Sequence, residues 1–122
     1  MACAKARVML GDKRIIGVSA HNVDEAVAAE KVGADYLGSG AAFPTGTKDV
    51  SGQYVTPDEY AAITSAVNIP VVAIGGVNAA TMPRLSELNV DGAAVVSAIF
   101  AADDIEAATR ELSRIIDETL SI

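Results

Sequence analysis

Thr45-Gly46-Thr47-Lys48 puts two hydroxyls and an ammonium into four consecutive positions, just beyond the run ADYLGSGAA. Two hydroxyls separated by a glycine can donate to one oxyanion, with the lysine beside them as a compact point charge. Three other places carry related groups. Gly75-Gly76 closes IPVVAIGG, Ser19 lies near the end of RIIGVSA, and Ser97 follows the run GAAVV. Paired glycines let backbone N–H groups approach an anion closely, and a hydroxyl followed by a helical turn offers further donors. The chemistry this set can do is phosphate binding. Each member also has a quieter reading. Gly-Gly after a strand is ordinary turn chemistry, Ser97 can satisfy a local backbone group, and Thr-Gly-Thr-Lys is a plausible solvated turn. His21, the only histidine, adjoins a helix cap and reads as structural or solvent-facing. Asp24, Glu25, Glu30, Glu106 and Glu111 read as solvated helix faces.

The elements that must position these groups alternate regularly. The first ten residues suit one or two helical turns ending at Gly11-Asp12. Apolar runs at 14–20, 34–40, 69–76 and 91–100 read as four strands, the last with a polar break at Ser97. Between them lie helix signals. Asn22 with Glu25 three places on forms a capping pair, and Gly33 closes that helix. Thr56-Pro57 with Glu59 opens the next. Asn78 can cap a third, but Pro83 displaces its start to near Thr81. Asp103 with Glu106 caps a last helix running to about Leu120, with Ile105, Ala108, Leu112, Ile115 and Ile116 at helical spacing. Strand–helix alternation four times over predicts α/β architecture with a parallel sheet and right-handed crossovers. Ligands of such sheets gather at the C-terminal strand ends, where Ser19, the 43–48 loop, Gly75-Gly76 and Ser97 all fall. Their agreement in place gives the functional reading its weight.

Composition narrows the ligand. The chain has 122 residues, 51% of them hydrophobic and only 4% aromatic, a mix suited to Val/Ile strands under Ala-rich helices. There is no linker or low-complexity segment, so residues 1–122 read as one unit. A net charge of −7 argues against nucleic acid or a membrane surface as partner, yet leaves room for a small phosphorylated molecule held locally by N–H groups and one lysine. The single cysteine, Cys3, excludes an intrachain disulfide and fits a cytoplasmic setting. MACAKARVML lacks a long apolar region and reads as mature chain.

Four motifs in this order, GVSAH (17–21), FPTGTK (43–48), VVAIGG (71–76) and VVSAIF (95–100), closely resemble the thiamine-phosphate synthase family, over roughly residues 5 to 115. The resemblance implies a TIM barrel that joins hydroxymethylpyrimidine diphosphate to thiazole phosphate, releasing pyrophosphate and using magnesium. It assigns Ser19 and Lys48 to the pyrimidine diphosphate, as the catalytic contacts. It assigns Thr45, Thr47, Gly76, Val96 and Ser97 to the thiazole phosphate. The match is to the family's C-terminal half: a TIM barrel takes roughly 250 residues and eight units, and four strand–helix units are expected here, a half-barrel. The magnesium-binding aspartates and the diphosphate-gripping arginine, lysine and asparagine of the family have no matching position in this chain. A thiazole tautomerase relative shares the fold but lacks the full FPTxTK loop, so the synthase is the better match. Two classes of function follow: a synthase segment inactive on its own, or a non-catalytic half-barrel that binds phosphate or self-associates. The expected partners are the small phosphorylated substrates, and either a second copy of the chain or a complementing N-terminal half.

Overall fold

The computed structural model describes residues 2–43 and 54–120. Helix α1 (Cys3–Leu10) leads into strand β1 (Gly17–Ser19), α2 (Val23–Lys31), β2 (Tyr36–Gly40), α3 (Pro57–Ala66) and β3 (Val71–Ile74). A 3₁₀ helix (Met82–Glu87), β4 (Gly92–Ala94), a short α4 (Ser97–Phe100) and a long α5 (Ile105–Leu120) follow. The strands form one sheet in the order β1-β2-β3-β4, every pair parallel. This is the expected run of (β/α) units.

The pleat sorts the side chains. Leu37 and Ser39 of β2 lie beside Val71 and Ala73 of β3 in register, and all four are buried. Their core includes Ala26 and Ala29 of α2, Tyr60 and Ile63 of α3, Leu85 of the 3₁₀ helix and Leu112 of α5. The helices therefore cover this face. On the opposite face Gly17 and Ser19 pair with Tyr36 and Gly38, and Gly40 pairs with Ile74. There Tyr36 and Ile74 are each 39% exposed, although a closed barrel would bury this face. Val8, Met9, Leu10 and Ile15 around the entry to β1, and Val96, Phe100 and Ile105 beyond β4, are exposed as well.

The strands are fastened at their N-terminal ends by a device used twice. Ile16 N donates to Asp35 Oδ2 at 2.7 Å while Asp35 N donates to Ile16 O at 2.8 Å. Two strands on, Val71 N donates to Asp91 Oδ2 at 2.9 Å while Asp91 N donates to Val71 O at 2.8 Å. At the intervening β2–β3 joint the aspartate's position is held by Pro70, which has neither a carboxylate to accept nor an N–H to give; its carbonyl accepts from Leu37 N at 2.9 Å. Arg7 reinforces the first clasp, binding Asp35 Oδ2 at 2.7 Å and the carbonyls of Gly33, Gly11 and Arg14. That tie anchors α1, which buries no residue fully.

Three sequence expectations are corrected. The fourth strand stops at Ala94 rather than running to Phe100. Ala94 pairs with Ile74, the last residue of β3, so the chain beyond has no strand to pair with, and residues 97–100 turn helical. The helix expected from Thr81 is a 3₁₀ helix containing Pro83. The last helix is capped by Asp104, whose Oδ1 accepts from Ala107 N at 3.0 Å, and not by Asp103. The caps at Asn22 and Thr56 form as expected, accepting from Glu25 N at 2.9 Å and Glu59 N at 3.2 Å.

Candidate functional site

The C-terminal ends of the strands open into a cleft of about 560 Å³. Ser19 and His21 line it from the end of β1. Gly38, Gly40 and Ala41 line it from β2, and Ile74 and Gly75 from β3. Tyr54, Val55 and Glu59 close it from the approach to α3.

Backbone geometry explains the two glycines after β3. Gly75 has φ 94° and Gly76 φ 69°, a region that side chains other than glycine rarely adopt. A Cβ on Gly75 would stand 2.9 Å from Ala41, and one on Gly76 would collide with the Phe43 carbonyl. The turn is thus packed against the segment leaving β2. Ala42 N donates to Ile74 O at 2.9 Å and Phe43 N to Gly75 O at 3.1 Å, which continue the β2–β3 pairing past the strands. Thr81 Oγ1 holds the far side by donating to Gly76 O at 2.7 Å. Arg84 stacks over the Phe43 ring, 5.0 Å from its centroid.

Electrostatics at the cleft are mostly acidic. Glu25 accepts from the backbone N–H of His21 at 2.8 Å and meets its Nδ1 at 3.0 Å. These bonds, the backbone one foremost, hold its carboxyl below the usual range. On the helical side, the Tyr60 hydroxyl donates to the Ser39 carbonyl, and burial pushes its pKa up. Ser39 Oγ is buried without a partner.

Of the candidate residues, Ser19 and Gly76 come to neighbouring positions: Ser19 lines the cleft beside Gly75, and Gly76 follows directly. Val96, 72% exposed, and Ser97, the first residue of α4, stand at the next strand end and do not line this cleft. Thr45, Thr47 and Lys48 lie outside the described residues. Sequence reasoning missed Gly38, Gly40 and Ile74. The signal was present, since Gly38-Ser39-Gly40 places two glycines on one face of a strand, a mark of close approach. The magnesium site that the resemblance implies does not fit the residues present. Among those described, no three His, Cys, Asp or Glu side chains stand close enough to hold a metal ion. No helix of the described residues is long and apolar enough to cross a membrane.

Residues 1–99 match the model of a known family, thiamine monophosphate synthase. The chain belongs to the thiamine monophosphate synthase family. Among its relatives, the thiamine-phosphate synthase of Clostridium botulinum is 46% identical over 112 residues, which is 92% of this chain and 52% of that protein. The Pyrococcus abyssi thiamine-phosphate synthase is 50% identical over 107 residues, or 87% and 51%. A solved thiamine phosphate pyrophosphorylase from Pyrococcus furiosus superposes with a TM-score of 0.86 at 40% identity, covering 98% of this chain and 56% of that one. The chain thus spans about half the length of the thiamine monophosphate synthase family members it matches. The four strands of its described residues are the corresponding share of an α/β barrel.

Proposed function

We propose that this chain supplies the phosphate-gripping side of a thiamine-phosphate synthase site, in a cytoplasmic enzyme of thiamine biosynthesis. The observation that carries the reading is the cleft at the C-terminal strand ends, lined by Ser19 and the left-handed Gly75 turn, in a chain of this family. Carried over from the resemblance, Thr45, Thr47, Gly76, Val96 and Ser97 hold the thiazole phosphate, and Ser19 and Lys48 contact the pyrimidine diphosphate. The reaction joins the two, giving thiamine phosphate and pyrophosphate. Loss of pyrophosphate leaves a pyrimidine-methyl cation. A fixed ammonium beside the departing diphosphate stabilises the charge that develops there, and a thiazole nitrogen held against the cation supplies proximity. The site needs the rest of the barrel, so residues 1–122 by themselves are expected to be inactive.

The test is a titration with thiazole phosphate followed by amide NMR. Ser19, Gly75, Gly76 and Ser97 are expected to shift. If they stay still while other amides move, the assignment fails. A second reading, a non-catalytic phosphate-binding half-barrel, is favoured by the lack of an acidic metal cluster among the described residues. Turnover by the chain alone, with magnesium and both substrates, excludes that second reading.

A further inference from the structure

His21 lines the same cleft as Ser19 and Gly75, and its ring is not free to turn at random. Nδ1 lies 3.0 Å from Glu25 Oε1, the same oxygen that accepts the His21 backbone N–H at 2.8 Å. Glu25 is fixed in turn on the first turn of α2, its own N–H bound to Asn22 Oδ1. A carboxylate on Nδ1 keeps the proton on that nitrogen, so the ring exchanges protons at Nε2, the nitrogen left uncommitted. Among the described residues lining the cleft, His21 is the one that can carry positive charge, and Glu59 lines the same cleft as a carboxylate. The ring is 62% exposed, leaving it reachable by a ligand.

We propose that His21, oriented by Glu25, contacts the anionic ligand of this cleft, donating from Nε2 to a diphosphate oxygen when protonated and losing that bond as pH rises. This rests on the cleft being a phosphate site. Of the titratable groups, Glu25 contacts the ring, and Glu59 and Tyr54 line the same cleft. A bound anion favours the protonated ring. Binding and protonation are therefore linked: pyrophosphate raises the midpoint of His21, and acid tightens pyrophosphate binding.

Because His21 is the only histidine, its Cε1–H resonance can be followed without ambiguity in the intact chain. The probe is inorganic pyrophosphate. Saturating pyrophosphate is expected to raise the His21 midpoint by about half a pH unit or more. The pyrophosphate dissociation constant of His21→Ala is then divided by that of the parent chain at each pH, which removes the probe's own titration. That ratio should be about five at pH 6 and near one at pH 8. Glu25→Ala should remove the preference of the neutral ring for a proton on Nδ1, read from its ring nitrogen shifts, and an unchanged tautomer ratio would overturn the orienting role of Glu25. An unmoved midpoint under pyrophosphate, or a ratio flat across pH, alongside shifts of the Ser19 and Gly75 amides, would overturn the assignment of His21 while leaving the phosphate site standing. If none of those amides responds, the phosphate site itself fails, and the proposal with it.

Discussion

Ser39 and Asp35 show how differently two polar side chains can serve the same sheet. Ser39 Oγ is buried with no partner, so it has lost its hydration without gaining a bond. Replacing it by alanine removes that cost and no interaction. Ser39→Ala is expected to be neutral or to stabilise by up to about 1 kcal/mol in urea unfolding. A loss of stability would mean the hydroxyl has a partner after all. Asp35 is the opposite case. The Arg7 guanidinium, then the Ile16 N–H, hold its carboxyl below the usual range. A folded-state value below the unfolded one contributes stability above the unfolded pKa, and that contribution is lost as pH falls through the folded value. Asp35→Asn should therefore melt lower than the parent chain at pH 7. The gap should close as the pH drops below the carboxylate range. A gap that is constant in pH would assign the loss to shape and not to charge.

The short helices and strands depend on what ends them. Two adjacent aspartates precede α5, and only Asp104 accepts an N–H of its first turn. Asp104→Ala should cost about 1 kcal/mol, while Asp103→Ala should stay within about 0.5 kcal/mol, both by chemical denaturation. Equal losses would reject this cap assignment. The sequence points to the wrong neighbour, since Asp103 has Glu106 three places on whereas Asp104 has Ala107. It read the Asn22 and Thr56 caps correctly because each stands alone before its helix. Strand existence and order were readable from four apolar runs, but strand length was not. VVSAIF is as apolar as a strand, and only the register reveals that its partner ends at Ile74. The cleft was half readable for the same reason. Ser19 and the paired glycines announce themselves by type, whereas Gly38, Gly40 and Ile74 join them only through the pairing of β2 with β3. His21 reads as structural or solvent-facing, and it is indeed exposed; that it also lines the cleft depends on where the end of β1 lies beside β2 and β3, which no local pattern shows.

With β1 and β4 each paired on one side only, the described sheet has two open parallel edges and a bare apolar face. Open edges invite pairing with another chain. Exposed apolar area is unfavourable by roughly 25 cal/mol per Å², so a few hundred Å² amounts to several kcal/mol, comparable with the stability of a small domain. The chain on its own is expected to self-associate or to bind a complementing half. Sedimentation over a wide concentration range tests this: a folded monomer that persists at high dilution, with cooperative unfolding, would reject it.

The aspartate clasp has a mechanical consequence. Asp35 and Asp91 each stand one residue before a strand, and each reaches back to the residue opposite it in register, Ile16 or Val71. The joint between them lacks the device, because Pro70 stands where the aspartate would and has neither carboxylate nor N–H. The two outer joints are thus pinned at one end of the sheet and the middle joint at the other, where Ala42 N and Phe43 N carry the β2–β3 pairing past the strands.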